Sequence, residues 1–296
     1  MNRRTSLSII LSCAVLAAAL ITSSAGAASS KKIVALTPFS ANTLVYTGKK
    51  PVAIGAMAVG HKGISTKLKG VKQLTLSHPN GPNMEQIAKI NPDIVLTSGA
   101  WRKGTQTMRD LAITVREMDP STVGQVVPKI RAIGNAYGSK KLTDKLAKST
   151  AAEISYATKG SKKSPHPIKT RPKVLLILGV GRTPYIFLNN SWGGSVAKAA
   201  GANLLGGDLK DSGGFAQVSD EYVVAQNPDI IIGVPHGNAS ELKSISEYML
   251  NNPAWATTNA VKNKQVFTTL DDALLQPNVD AGDTIKRLRV AYLKNW

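Results

Sequence analysis

The sequence predicts an α/β protein of two Rossmann-like lobes, each around a parallel central sheet, joined by a single long connecting helix. The first observation behind this is a repeat. Residues Met84 to Leu96 (MEQIAKINPDIVL) return 136 positions later as Asp220 to Ile232 (DEYVVAQNPDIII). Both copies read as a short helix stopped at Asn-Pro and followed by a buried apolar strand, because proline restricts the residue before it. A unit that occurs only twice does not make a solenoid, so it implies two lobes with a site between them. Strand and helix signals also alternate in both halves, which is the βαβ pattern of parallel sheets. Between the halves, Val123, Val126, Val127, Ile130, Ile133, Tyr137, Leu142 and Leu146 recur at mostly helical spacing.

Taken in order, the chain opens with Asn2-Arg3-Arg4, an apolar run from Leu7 to Ile21 and Ala25-Gly26-Ala27. These are the charged, apolar and small-residue sections of an export signal, so residues 1–27 are expected to be removed and the mature chain to start at Ala28. The apolar run is short and rich in small residues for a membrane span. The single cysteine, Cys13, sits in Ile10-Leu11-Ser12-Cys13, which loosely resembles the box before a lipidated cysteine. Cleavage there would leave Ala14 to Ile21 as an apolar N-terminus, and removal after Ala27 leaves a chain with no thiol, disulfide or cysteine-bound metal.

The N-terminal lobe is expected over residues 28–120, with strands at Lys32 to Leu36, Pro51 to Ala56, Asp93 to Ser98 and Ile113 to Met118. The connecting helix follows over 121–158, where Gly134 and Gly138 weaken the pattern and leave room for two pieces. A basic, proline-containing loop occupies 159–172. The C-terminal lobe, 173–296, has strands at Lys173 to Gly179, Tyr185 to Asn189, Asp229 to Val234 and Gln265 to Thr269. Its helices fall at Gly193 to Ala200, Ser219 to Gln226, Ser240 to Leu250 and Ala281 to Leu293. By these bounds the lobes are 93 and 124 residues, each enough for its own core.

The 37 basic and 18 acidic residues leave a formal charge of +19, or +17 without Arg3 and Arg4. The cations are scattered apart from the run Lys159 to Lys173, which has prolines and no aromatic residue to stack bases. That run reads as a solvated loop, and nucleic acid is not the expected partner. The charge suits anionic small ligands or anionic cell-surface polymers.

Ligands of open parallel sheets sit beyond the carboxyl ends of the strands. That rule selects the loops Thr37 to Thr43, Ala58 to Ser65, Ser98 to Thr105, Asp119 to Thr122, Val180 to Pro184, Val234 to Ser240 and Asp271 to Asn278. The repeat places Ala100-Trp101 of one lobe opposite His236-Gly237 of the other. His236 is the strongest candidate among the histidines: it follows an apolar run and precedes Gly237-Asn238, a backbone able to present the imidazole to a metal or an anion, with structural hydrogen bonding as the alternative. His61 and His78 lie in strand-end loops where a ligand-facing role and an ordinary exposed or turn-capping role are both open. His166, between prolines, is solvated. Trp101-Arg102-Lys103 offers a flat aromatic face beside two cations, suited to a large planar anion; the alternative is that Trp101 caps the sheet and the cations face water. Trp255 reads as core packing, and Trp192 lies at a helix start.

The motifs of common enzymes are absent: there is no Walker loop, no His-Glu-x-x-His and no Gly-x-Ser-x-Gly elbow. Gly179-Val180-Gly181 does not continue as a dinucleotide fingerprint. An exported α/β hydrolase would have to rely on His61 and His236 with Asp271 or Asp272 as the carboxylate.

The combination Pro38-Phe39-Ser40-Ala41-Asn42-Thr43-Leu44, Pro82-Asn83-Met84-Glu85, the two Asn-Pro-Asp triplets, and Asn252-Pro253-Ala254-Trp255 with Ala260-Val261-Lys262 resembles the helical-backbone solute-binding proteins of ABC importers. The resemblance covers essentially the whole mature chain. It implies two lobes joined by a rigid helix with little hinge closure, no enzymatic activity, no intrinsic cofactor, and a transported haem or ferric siderophore in the cleft, with cobalamin as the alternative. It further implies a partnership with a membrane permease and its ATPase, and a monomeric exported protein. Val234-Pro235-His236-Gly237 looks like the loop from which haem-binding members offer an axial histidine. Their partner ligand would fall near His78, where no methionine stands. Arg102, Lys103 and Arg182 would pair with an anionic chelate and Trp101 would stack. Glu241 fits the permease-docking acid of the second lobe; its repeat equivalent is Thr105, with Asp110 the nearest acid of the first.

Overall fold

Apolar residues alternating between two faces set the register of both sheets. The computed structural model describes residues 31–57, 63–77, 80–159, 170–179, 184–235, 247–269 and 272–294, and the chain from Lys31 onward forms one compact unit. The first lobe contains β1 (Ile33–Ala35), α1 (Pro38–Tyr46), β2 (Ala53–Met57), β3 (Lys72–Ser77), β4 (Gly81–Pro82), α2 (Met84–Ile90), β5 (Ile94–Thr97), α3 (Arg102–Asp110) and β6 (Val115–Glu117). Its strand order is β4-β3-β2-β1-β5-β6, parallel except for β4 against β3. β3, half exposed with only Leu74 and Leu76 buried, has no long apolar run, which is why the sequence reading passes over it.

Two helices follow, α4 (Val126–Tyr137) and α5 (Lys140–Lys159). The second lobe holds β7 (Lys173–Gly179), β8 (Tyr185–Phe187), α6 (Trp192–Ala200), β9 (Asn203–Leu204), β10 (Phe215–Gln217), α7 (Asp220–Gln226), β11 (Ile230–Pro235), a helical stretch at 247–251, α8 (Asn259–Lys262), β12 (Val266–Thr268) and α9 (Ala281–Leu288), which runs on into a π turn at Arg289–Leu293. The second sheet is mixed: β9, β11 and β12 join the parallel core of β7, whereas β8 is antiparallel to β7 and β10 to β8.

The expected single connecting helix is divided. Gly138 is extended, its N–H bonds Gly134 at 2.8 Å, and Ser139 N–H donates to the Thr47 carbonyl at 2.7 Å at the end of α1. A Cβ on Gly138 would fall 2.5 Å from Thr47 Oγ1, so glycine admits this close approach and the helix stops there. α4 packs on α1 of the first lobe, while α5 packs on α9 of the second. The rod joining the lobes is therefore α5, whose 20 residues span about 30 Å. Its buried face is small (Thr143, Ala147, Thr150, Ala157), which lets neighbours approach; a Cβ on Gly282 of α9 would lie 2.7 Å from the Glu153 backbone.

The inner faces of both sheets share one core. Ile33, Ala35, Ile94 and Leu96 of the first lobe and Val174, Leu176, Ile230 and Ile232 of the second belong to a single apolar cluster with Ile130, Ala147 and Ile285 of the helices. The residues alternating with them face outward: Val34, Leu36 and Val95 into one satellite core, Leu175, Ile177 and Ile231 into the other. A continuous close-packed core opposes lobe movement.

The repeat is preserved to the level of single hydrogen bonds. Asn83 and Ser219 cap α2 and α7, and Asn91 and Asn227 end them in the left-handed region at φ 47° and 46°. Asp93 then accepts the Lys32 N–H at 2.6 Å, and Asp229 the Lys173 N–H at 2.8 Å, tying each strand β5 or β11 to the start of its neighbour. Among the described residues no helix is long and apolar enough to cross a membrane.

Candidate functional site

The carboxyl ends of the strands are where backbone polarity and loops meet, and in the first lobe three of those loops are described. Thr37 follows β1 and caps α1, with Pro38 at the first helical position. Asp119 follows β6. Because β5 lies between β1 and β6, the 2.6 Å hydrogen bond from Thr37 Oγ1 to Asp119 Oδ1 crosses the carboxyl end of β5; Ser40 Oγ adds a longer one at 3.4 Å. Desolvation pushes the Asp119 carboxyl up to about 7, against the hydrogen bonds from Thr37 and Ser40 and the charge of Lys129, which lower it. The residue keeps a partial opening to solvent. Thr97, the last residue of β5, is fully buried and its hydroxyl has no hydrogen-bond partner among the described residues.

Three contacts bring the lobes together around this floor. Asn42 Nδ2 on α1 donates to Asn278 Oδ1 at 2.7 Å and to the Gly63 carbonyl at 2.6 Å, while Asn278 Nδ2 reaches the same carbonyl at 2.8 Å. Val123 N–H donates to Ser195 Oγ on α6 at 3.0 Å. At the third contact Arg102 reaches across to the turn at Gly213, where a Cβ would stand 2.9 Å from its guanidinium. Arg102 thus lies on the rim between the lobes, with Lys103 exposed beside it on the first turn of α3.

Trp101 does not take the expected stacking position. It is 4% exposed and packs with Leu36, Leu76 and Met108 in the satellite core of the first lobe, beneath a close approach of Gly81 and Gly104. Burying an indole there stabilises the sheet and removes its face from the cleft. Trp255 is fully buried, as its sequence context predicts, and its Nε1 donates to Asp220 at 2.8 Å. Asp110 is exposed at the end of α3 and accepts from Gln106, a full helix length from the Arg102 rim; Thr105 is buried.

His61, His78, Arg182, His236, Glu241 and Asp271 lie outside the described residues, as do the segments 58–62, 78–79, 180–183, 236–246 and 270–271 that continue β2, β3, β7, β11 and β12 at their carboxyl ends. Among the described residues no cluster of His, Cys, Asp and Glu is placed to hold a metal ion. A cavity of about 470 Å³ lies elsewhere, along α9 beside Thr269 and Leu274, lined also by Asp283, Arg287 and Tyr292. It lies beside β12, the edge strand of the second sheet, with Thr269 at the carboxyl end of that strand.

The sequence rule for strand-end loops picks out the segments containing Thr37, Asp119 and Asn278. It carries no signal that Thr37 and Asp119 bond, or that Asn42 and Asn278 do, because each pair is brought together by strand order and by the docking of the lobes.

Residues 33–273, almost all of this architecture, match the periplasmic binding protein family. The chain belongs to that family. It is 29% identical over 242 residues to a cobalamin-binding protein of Halobacterium salinarum, covering 78% of this chain and 62% of the relative, so it spans somewhat under two thirds of that protein's length. It is 25% identical over 255 residues to the high-affinity heme uptake system protein IsdE of Staphylococcus aureus, covering 83% of each. The crystal structure of IsdE complexed with heme superposes with a TM-score of 0.75 over 89% of this chain and 99% of that one, at 24% identity. The vitamin B12 binding protein BtuF of Vibrio cholerae gives 0.68 at 17% identity, covering 90% and 97%. These relatives are binding proteins rather than enzymes, and the two-lobe class III fold is shared with them.

Proposed function

We propose that this family member is the extracytoplasmic binding subunit of an ABC importer, and that it carries a metal chelate, haem or a ferric siderophore, between its lobes to a permease and its ATPase. The observation that supports this most is the arrangement of the lobes. Among the described residues, Asn42 and Val123 of the first lobe meet Asn278 and Ser195 of the second beside the Asp119 floor, and one apolar core runs through both lobes. Such a site admits a preformed rigid ligand without hinge closure.

His236 is the proposed axial or ligand-contacting residue, with His78 as the group facing it from the first lobe and His61 beside the cleft. Arg102, Lys103 and Arg182 are proposed to pair with propionates or an anionic chelate. Glu241 and Asp110 are the proposed acids for permease docking. Residues 1–27 are proposed to be a cleaved export signal, and the mature chain to act as a monomer without a nucleic-acid partner. Cobalamin is a second reading, favoured by the 29% identity to a cobalamin-binding protein.

The test is titration of the purified mature chain with haemin, cyanocobalamin and ferric siderophores, followed by absorption and tryptophan fluorescence. A Soret shift that His236→Ala abolishes assigns haem. Saturable binding of cyanocobalamin alone assigns the second reading, and no binding of any of the three overturns the transport function.

A further inference from the structure

Among the described residues, the first lobe carries most of its excess of positive charge at one edge. Lys32 immediately precedes β1, Lys50 lies just before β2, and Lys72 opens β3. These strands are parallel neighbours, so their amino ends line a single edge of the sheet, opposite the ends that face the cleft. At about 4.8 Å per strand the three backbones fall within about 10 Å. α2 runs antiparallel to β5 and delivers Lys89, in its last turn, to the same edge. Lys31 adjoins Lys32, and Lys69 lies in the short segment leading into β3.

All six side chains are exposed, and among the described residues none takes part in an ion pair. The one carboxylate of this edge, Asp93, is occupied by the Lys32 N–H. Lys49 adjoins Lys50 at this edge, and the other described charges of the lobe nearly offset one another: Lys67, Arg102, Lys103, Arg109 and Arg116 stand against Glu85, Asp110, Glu117 and Asp119, with Arg109 and Glu117 bonded at 3.0 Å. Among the described residues, most of the excess positive charge of the lobe thus collects at this edge.

We infer that this amino edge is a contact surface for a bilayer containing anionic phospholipid, holding the protein at the membrane between encounters with its permease. Lysines are compact point charges, and spread over an exposed sheet edge they match the diffuse field of a charged bilayer. A linear polyanion is better held by a groove with stacking aromatics, and the described residues of this edge offer neither: Tyr46, the nearby ring, lies under Lys67 at 5.4 Å. The inference rests on the extracytoplasmic placement proposed above and is independent of the cargo.

The experiment is co-sedimentation of the cargo-free mature chain with phosphatidylcholine vesicles with and without phosphatidylglycerol, at low and physiological salt. The wild type is expected to bind only the anionic vesicles, and less as salt rises. Each lysine at the surface contributes about fivefold. The triple variant Lys50→Glu, Lys69→Glu, Lys72→Glu is therefore expected to lose about a hundredfold or more, while Lys141→Glu, Lys145→Glu, Lys148→Glu on the exposed face of α5 changes net charge equally and retains most binding. Glutamine at positions 50, 69 and 72 gives an intermediate loss, and unchanged haemin or cobalamin titration shows that the fold survives. Equal loss in the two triple variants, no preference for anionic vesicles, or retention on polyphosphate but not on vesicles overturns the inference; failure of cargo binding with vesicle binding intact bears on the transport function alone.

Discussion

Replacing Asp119 by asparagine isolates one proton at the floor between the lobes. In the unfolded chain this carboxyl titrates near 3.8, and in the folded protein near 7 because burial disfavours its charge more than Thr37, Ser40 and Lys129 favour it. Between those values the folded state holds a proton that the unfolded state has released, so stability falls as pH rises. The contribution is complete below pH 3.8 and is lost as the pH passes through 7. A displacement of about three pH units at about 1.4 kcal/mol each sets a ceiling of about 4 kcal/mol, and partial access to solvent reduces this to about 2–4 kcal/mol. Asparagine keeps a carbonyl oxygen for the Thr37 hydroxyl and cannot titrate. Urea unfolding of wild type and Asp119→Asn across pH 4 to 8 is the assay. The stability of wild type minus that of the variant should decline by that amount and level off above pH 7.5. A difference that stays flat, or that rises with pH, refutes the burial argument.

Three further outcomes follow from the same contacts. Arg289, 5% exposed, donates to the Ala200, Ala199 and Thr158 carbonyls at the ends of α6 and α5, so Arg289→Met should cost about 2–3 kcal/mol in denaturant unfolding, with Arg289→Lys intermediate. Gly138→Ala should cost about 1–3 kcal/mol, since its Cβ meets the Thr47 backbone oxygen at 2.7 Å; Gly207→Ala, with open space around it, should be near neutral in the same thermal melts. Asn278→Ala removes its bonds to Asn42, Gly63 and Val279 and should cost about 1–3 kcal/mol, with faster hydrogen exchange at 63–65 and 278–279 than in wild type.

The extent to which the architecture was legible varies with the range of the interactions. The strands at 93–98, 173–179 and 229–234 and the helices at 193–200 and 219–226 come within a residue or two of β5, β7, β11, α6 and α7, because each is set by an apolar run and a local cap. β3, β9 and β10 were not legible: they are short or half exposed, and pairing with a neighbour holds them in place. Gly134 and Gly138 mark a weak point in the connector locally, but that the break falls at Gly138 depends on Thr47, 91 positions earlier. Trp101 has the same explanation. Its neighbours Arg102 and Lys103 suggest a binding surface, and the core formed by β1, β3 and α3 takes the indole instead.

By itself the sequence determined the two-lobed organisation. Its doubled Asn-Pro-Asp phrase encodes a helix, a left-handed stop and a buried strand through local backbone preferences, and these act at a separation of a few residues. Only the tertiary structure decided which side chains face the cleft, how the lobes are locked and where the unpaired charge collects. Those outcomes depend on strand order, which brings Thr37 to Asp119, Asn42 to Asn278 and Lys32 to Lys72 across distances in the chain that no spacing records.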